Sequence, residues 1–370
     1  MENMNSRDLR NQFINSSFDV SYINNNGENI LFFCRSHERK KYIEEGADIN
    51  LRNNKGQSLL HYSHSKAEFL ELMSAGFLFK EDEDYSELDY AQTRKLVELI
   101  SLEELKKIKI NAKIENPGSG NTLISNLDNY EKVEYLVSQG LNINKRNLNG
   151  DVYFGIPKDI DEKTAKKIKL LLLKSGINVN NVNSSGRTLL HYEKDIEILE
   201  LILKKCKVIN QRCETYGRTC LFKASPEKMK ILIDYGIDLN IKGKNERIAF
   251  HDTSDENIQL YMINNGLDPN YKDRKGKSLL FYFCINKKVI EALIDSGVDI
   301  NAKDEEGLNA LFYQHPDNIK ELVNRGILLD CVIPSTFSKE KVIFIESEII
   351  KRDASVNMVK ESLNNKNKRL

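Results

Sequence analysis

Residues 176–192 read Gly-Ile-Asn-Val-Asn-Asn-Val-Asn-Ser-Ser-Gly-Arg-Thr-Leu-Leu-His-Tyr, and variants of this phrase return along most of the 370-residue chain. The counterparts of Gly176 are Cys206, Gly236 and Gly266, each thirty residues on, then Gly297 and Gly326 at thirty-one and twenty-nine. Each is followed four residues later by an Asn or Asp: Asn180, Asn210, Asn240, Asn270, Asn301 and Asp330. Earlier copies run from Gly46 to Asn50 and from Gly140 to Asn144. A fixed period of this size implies a solenoid, whose repeats pack only on their neighbours. Such a chain presents a long surface of similar ridges, which suits the binding of another macromolecule.

Ahead of each glycine, apolar residues fall at helical spacing: Phe69, Leu72, Met73; Val133, Leu136, Val137; Met229, Leu232, Ile233; Ile290, Leu293, Ile294; Ile319, Leu322, Val323. Positions i, i+3 and i+4 share one helix face, so each helix has one side to bury. Glycine then ends the helix by entering the left-handed conformation without a Cβ penalty. The Asp and Asn residues beyond it favour a turn through side-chain bonds to nearby backbone.

A second signature follows each turn. It reads Gly56-Gln-Ser-Leu-Leu-His-Tyr62, Gly186-Arg-Thr-Leu-Leu-His-Tyr192, Gly217-Arg-Thr-Cys-Leu-Phe-Lys223, Gly276-Lys-Ser-Leu-Leu-Phe-Tyr282 and Gly307-Leu-Asn-Ala-Leu-Phe-Tyr313. Ser or Thr before an apolar pair signals a helix N-cap. The alternation of helix, finger-like turn, Gly-x-Thr-x-Leu-His and helix resembles the ankyrin repeat over residues 27–330. The resemblance implies an all-α solenoid of about ten helix-turn-helix repeats, starting near Gly27, Gly56, Tyr85, Gly120, Gly150, Gly186, Gly217, Glu246, Gly276 and Gly307. The third is degenerate, with Ser86-Glu-Leu-Asp-Tyr90 as its best match, and the third and fifth carry insertions. His61 precedes Gly76, and His191 precedes Cys206, by fifteen residues. The family uses about three more residues per repeat, so the first helix of each pair is expected to be short or partly a turn. Tyrosine or another large residue also stands where the family usually has small alanines.

These repeats predict one continuous, elongated rod, with residues 1–26 and 331–370 as terminal capping segments. Phe13, Ile14, Phe18 and Ile23 are the apolar residues available at one end. Val342, Ile343, Ile345, Ile349 and Ile350 serve the other, before a basic stretch from Asn364 to Leu370. Formal net charge is zero with 30% charged residues, so no global field draws nucleic acid or anionic membrane. There is no run of eighteen apolar residues, and Met1 to Asn15 is polar, so neither a membrane span nor a signal peptide is expected, and the location reads as cytoplasmic. Abundant Asn and scarce Ala point to an AT-rich bacterial, viral or parasite genome.

The six cysteines are Cys34, Cys206, Cys213, Cys220, Cys284 and Cys331, with no CxxC pair, and they read as reduced thiols. Cys206, Cys213 and Cys220 are seven apart, but a zinc site normally shows a closely spaced ligand pair, so no metal is assigned. Cys206 stands where other repeats place glycine, so either it is held left-handed or the helix ends differently there. His61, His191 and His251 fall at one repeat position; in ankyrin-like repeats that residue bonds the backbone of the neighbouring turn. His37, His64 and His315 are scattered, and no phosphate loop, Gly-x-Ser-x-Gly or His-Glu-x-x-His occurs, so no catalytic residue or cofactor is assigned.

In this family partners use the fingers and the first-helix face. The residue after the finger glycine reads Arg187, Arg218 and Lys277, with Arg247 at the matching place in the repeat that has lost its glycine. Lys244, Arg274 and Lys275 are close by, and stacking should align these cations into a basic ridge. Earlier repeats have Gln57, Asn121 and Asp151 there, so the ridge is local. A second stripe, Arg52, Arg146, Arg212, Lys242, Lys272 and Lys303, reads as structural. Tyr62, Tyr192, Tyr282 and Tyr313 also recur; tyrosine is enriched in interface hot spots, yet partial core burial is expected of them. The acidic run Glu81–Asp84 reads as a solvated loop. The chain is thus expected to be a non-enzymatic scaffold that recognises another protein with an acidic patch, neither nucleic acid nor membrane. An inhibitor or immunity-type role suits it, and a secreted effector or viral host-range adaptor is the alternative.

Overall fold

The computed structural model describes residues 19–127, 129–154, 160–244, 246–282, 286–331 and 337–367, with the side chains of 126, 359 and 361–367 set aside. Phe13, Ile14, Phe18 and Cys284 lie outside the described residues, as does the end of the basic stretch from residue 368. The chain divides into two compact bodies, one up to Asn181 and one from Val182.

Among the described residues of the N-terminal body the longer helices are α1 (Ser36–Glu44), α2 (Lys66–Ser74), α3 (Tyr90–Leu99), α4 (Leu102–Lys107), α5 (Tyr130–Ser138) and α6 (Glu162–Lys174). The C-terminal body has the four-residue α7 (Leu189–Tyr192), then α8 (Ile196–Leu203), α9 (Pro226–Asp234), α10 (Glu256–Asn264), α11 (Lys287–Asp295), α12 (Pro316–Asn324) and the long α13 (Lys339–Asn367). Within each body, successive second helices pack on one another: α2 on α3 and α5 on α6, then α9 through α12 in sequence, with the long α13 against α12. Their buried faces hold the residues at the predicted spacing, with Phe69, Leu72, Val133, Leu136, Leu232, Ile290, Leu293, Ile319 and Leu322 fully enclosed.

Eight of these helices start on a short polar side chain, whereas α12 starts on His315, which accepts the Asp317 N–H. Ser65, Asp89, Asn129, Asp161, Asp195, Ser225, Asp255 and Asn286 each accept the N–H three residues on, which satisfies one of the four orphan donors of a helix start. Most end on a left-handed glycine such as Gly236, at φ 81°. The first helices are as short as the spacing implies: single 3₁₀ turns at Leu59–Tyr62, Ala249–Asp252, Leu279–Phe281 and Ala310–Phe312, beside α7.

A short helix leaves its last carbonyls without partners, and the following repeat supplies donors. Lys228 Nζ donates to Leu190 O at 2.6 Å and Glu193 O at 2.8 Å. Gln92 Nε2 donates to the carbonyls of His61 and Ser63, both at 3.2 Å, and Gln314 Nε2 to Leu280 O at 2.6 Å and Tyr282 O at 3.0 Å.

The third repeat departs from the pattern as its insertion foretold. Ser101 caps the additional helix α4 where the glycine turn would fall. The chain then returns as β2 (Ile108–Lys109), parallel to β1 (Glu83–Asp84). The acidic run 81–84 is therefore not wholly solvated: Glu83 is buried and bonded to Arg52.

The helix before Cys206 ends differently from its neighbours. Cys206 is not left-handed. Helix α8 stops at Leu203, and Lys205 and Cys206 donate to the carbonyls of Ile202 and Leu203 at 3.0 and 3.1 Å. One more residue then separates the turn from Asn210 than separates Gly236 from Asn240.

At the far end, Phe337 meets Phe312 edge-on at 5.1 Å between centroids, and Arg352 Nη1 donates to Ile327 O at 3.0 Å. On α13 Ile345 is buried and Val342 and Ile349 are half-buried, whereas Ile343 and Ile350 face solvent. At the other end Ile23 is exposed.

Candidate protein-binding face

Fingers are held to one another by backbone. Asn54 N–H donates to Asn26 O at 2.8 Å, Glu214 to Ser185 O at 2.8 Å, Lys244 to Tyr216 O at 2.8 Å and Glu305 to Lys275 O at 3.0 Å. At Gly186 the approach is so close that a Cβ would sit 2.7 Å from Arg212 O and 2.9 Å from Glu214 N, closer than non-bonded atoms tolerate. Only glycine fits, and its φ of 72° is the left-handed value that glycine alone adopts freely. Glu246 takes the same conformation, at φ 56°, where its repeat has lost the glycine.

The recurrent Asn does more than shape its own turn. Asn240 Nδ2 donates to Gly266 O at 2.9 Å while its Oδ1 accepts the Asp268 N–H at 2.8 Å. Asn144 grips Gly176 O and Asn178 N in the same way, and Asn270 grips Gly297 O and Asp299 N. The second basic stripe is structural too. Arg212 Nη2 donates to Lys242 O, Lys242 Nζ to Lys272 O and Lys303 Nζ to Asp330 O, at 2.9, 3.1 and 2.9 Å.

On this frame the short first helix presents its terminal tyrosine, tied to the base of its own finger nine residues back. Asn53 and Asn183 donate to the hydroxyls of Tyr62 and Tyr192 at 3.1 and 3.2 Å. Tyr282 and Tyr313 donate to Asp273 Oδ2 and Asp304 Oδ2 at 2.8 and 2.7 Å. Burial, and then those carboxylates, lift both hydroxyls far above the ordinary tyrosine range, so they remain donors. Tyr282 and Tyr313 are half-buried, as expected, but Tyr62 and Tyr192 keep 36% and 51% of their surface.

The cation after each finger glycine lies on a ring. Arg187 Cζ is 5.8 Å from the Tyr192 centroid, Arg247 Cζ 6.0 Å from Tyr282 and Lys277 Nζ 3.8 Å from Tyr313. Arg218 lies between two rings, Tyr216 at 5.5 Å and Phe222 at 5.3 Å. It also stands 3.6 Å from Asp252 Oδ2, and Arg247 Nη2 donates to His251 O at 2.8 Å. All four cations are half-buried. They are stacked side chains rather than free surface charges, which holds them in place at a low ordering cost. Lys244, Arg274 and Lys275 differ: all three are exposed on the fingers.

The repeat-position histidines are structural. Thr188 N–H donates to His191 Nδ1 at 3.1 Å, and Ser58 N–H to His61 Nδ1 at 3.0 Å, with His61 Nε2 3.2 Å from Asp84 O of the next turn. Burial pushes His191 and His251 down to about 4 and lowers His61 as well. Cys34, Cys206, Cys213, Cys220 and Cys331 are free thiols, and burial raises Cys220 to about 12. Among the described residues no group of three His, Cys, Asp or Glu side chains is placed to hold a metal, and no helix is long and apolar enough to cross a membrane.

Sequence reasoning aligned the four cations but did not pair them with rings, and it missed Tyr216, Phe222 and Asp252 altogether. The available signal was the finger Cys213-Glu-Thr-Tyr-Gly217, one residue longer than Asn183-Ser-Ser-Gly186.

No family model matches the chain. An ankyrin repeat protein of Acanthamoeba polyphaga mimivirus is 30% identical over 127 residues, which is 31% of this chain and 16% of that protein; the chain thus spans under a fifth of the length of that curated relative. Among solved structures, an ankyrin repeat domain from Acinetobacter baumannii AYE aligns at 20% identity with a TM-score of 0.37, covering 44% of this chain and 97% of the domain.

Proposed function

We propose, on the footing that this chain is built of ankyrin repeats, that it binds another protein through its fingers and first-helix face and catalyses no reaction. The observation that carries this reading is that each of the four cations lies on an aromatic ring, from Arg187 on Tyr192 to Lys277 on Tyr313. A pre-ordered array of guanidinium and tyrosine has the composition of interface hot spots, and rigidity lowers the ordering cost of binding. The partner's complementary surface is acidic, with Arg187, Arg218, Arg247 and Lys277 as anchors and the exposed Lys244, Arg274 and Lys275 steering approach. Tyr192, Tyr282 and Tyr313 supply the apolar part of the contact.

Within that function an inhibitor or immunity-type role fits best, because a preformed face that covers a partner enzyme or toxin needs no second activity. Residues 27–330 would form the binding solenoid, with 1–26 and 331–370 as its end segments. The test is affinity capture from the native host with the purified chain, followed by reconstitution with the pure partner. A one-to-one complex that weakens with salt and silences the partner is the expected result. A partner whose activity is untouched would remove the inhibitor role, and turnover of the partner by this chain would overturn the scaffold reading.

A further inference from the structure

The seventh repeat breaks the pattern of its neighbours around a single side chain, Arg218. Its finger is one residue longer than that of the sixth, and the added length projects Tyr216, 56% exposed, against the Arg218 guanidinium. Where neighbouring repeats have a first helix, residues 220–223 form a turn. That turn ends on the exposed Lys223 in a left-handed conformation, φ 57°. A lysine in that region is strained, and such strain persists where the surroundings hold it, often at ligand sites. At the finger base Cys213 replaces the usual Asn or Asp. Burial pushes its thiol up, but the N–H groups of Tyr216 and Arg218 and the Arg187 guanidinium more than offset this and lower it overall. Arg187 thus reaches from the sixth repeat to the base of the seventh finger, beside its own exposed Tyr192.

We propose that Arg187, Tyr192, Tyr216, Arg218 and Lys223 form a docking site for an acidic protein segment that carries Asp or Glu next to an apolar or aromatic residue. This rests on the protein-binding reading above. Charge complementarity selects the occupant. Among the described residues no carboxylate pairs with Arg187, so it carries the unmet charge, while Arg218 is met in part by Asp252 at 3.6 Å and keeps 21% of its side chain exposed. A carboxylate accepts two parallel N–H bonds from a guanidinium fork, while the two exposed tyrosine faces cover an apolar neighbour. Single-stranded nucleic acid also stacks on such rings, but it needs a cationic track for successive phosphates. Here the exposed Glu214 shares the finger of Tyr216, which favours one carboxylate over a chain of phosphates.

The test selects a display library of random 12-residue peptides on the full chain and measures the consensus peptide by fluorescence anisotropy. The expected consensus places Asp or Glu beside Phe, Tyr, Trp or Leu. Tyr216→Ala and Arg218→Gln should each weaken its binding at least tenfold, while Leu148→Ala, on an exposed position of the other body, leaves it unchanged. Should Arg218→Gln unfold, Tyr216→Ala decides alone, because its ring is exposed and thermal melting verifies the fold. An acid-free consensus, or acidic peptides that bind the Tyr216→Ala variant as well as the parent, overturns this site and leaves the protein-binding reading standing. A library that yields no binder counts against both. Labelled dT12 runs in parallel, and its binding with loss in the Tyr216→Ala variant replaces the acidic segment with single-stranded nucleic acid.

Discussion

Asn240 and Gly266 belong to successive repeats, and one amide side chain spans the step between them. It donates to Gly266 O at 2.9 Å and accepts from Asp268 N at 2.8 Å. The four-residue spacing from glycine to Asn is therefore a rule about the next repeat, not only about the local turn. Only an amide makes both, since a carboxylate could accept from Asp268 N but has nothing to donate to Gly266 O. Asn240→Asp is expected to lose about 1 kcal/mol and Asn240→Ala about 1–2 kcal/mol in urea denaturation, the deletion leaving two backbone groups unpaired. An Asp variant as stable as the parent would show that water serves Gly266 O equally well.

How much of this was legible beforehand follows from what repeats and what does not. The helix faces and the glycine stops recur about every thirty residues, and each obeys a local rule, so they were read directly, whereas the caps at Asp195, Ser225 and Asp255 went unread although they recur at the same spacing. The shortness of the first helix followed from the fifteen residues between His61 and Gly76. The ring beneath each cation was hidden, because Arg187 uses the tyrosine of its own repeat whereas Arg247 and Lys277 use that of the next. That choice depends on how adjacent repeats stack, which spacing within one repeat does not encode. Asn240 was legible as a turn former but not as a link for the same reason.

Left-handed residues offer a paired test. Glu246 holds φ 56° where its neighbours use glycine, at a cost of about 1 kcal/mol that glycine would not bear. Glu246→Gly should stabilise the fold by a few tenths to about 1 kcal/mol, after the greater entropy of the unfolded chain takes its share. Gly186→Ala should go the other way by more than about 2 kcal/mol, because its Cβ would meet backbone atoms of the next finger at 2.7 and 2.9 Å. Denaturation midpoints of the two variants that moved in the same direction would contradict the finger geometry.

Cys206 carries the opposite expectation from Glu246. With its φ outside the left-handed region, glycine relieves nothing there and only loosens the unfolded chain. Cys206→Gly should therefore cost roughly 0.5–1 kcal/mol. A stabilised variant would mean that the end of α8 is strained after all.

Stability should also respond to acid through His191 and His251. Burial lowers both from the ordinary value of 6.5 to about 4. Above pH 6.5 neither folded nor unfolded chain is protonated at these sites, so they leave stability unchanged. Between about 6.5 and 4 the unfolded chain binds protons that the folded chain refuses, and stability falls as pH drops, by up to about 3 kcal/mol for each residue. His191→Gln should flatten part of that slope, measured as denaturation midpoint against pH. A parent profile flat from pH 7 to 4.5 would show that these rings protonate freely in place.

Binding offers the sharpest contrast between stacked and free cations. Arg218 and Arg247 are half-buried on rings, with Arg247 also bonded to His251 O. Their joint reversal to Glu should cost stability as well as affinity, so a fold measurement must accompany it. Lys244, Arg274 and Lys275 are exposed on the fingers, where single charges contribute at most about 1 kcal/mol to the fold. Reversing Lys244 and Lys275 to Glu should leave the melting curve in place and slow association with an acidic partner by about tenfold at low salt. The dissociation rate should change little, since rim charges act mainly on encounter. The gap between parent and variant should close as salt rises, because screening lengths shrink from about 10 Å at 0.1 M toward 3 Å at 1 M. Stopped-flow association at two salt concentrations reads this directly. Equal association rates for parent and variant at low salt would mean that the partner does not approach over these fingers.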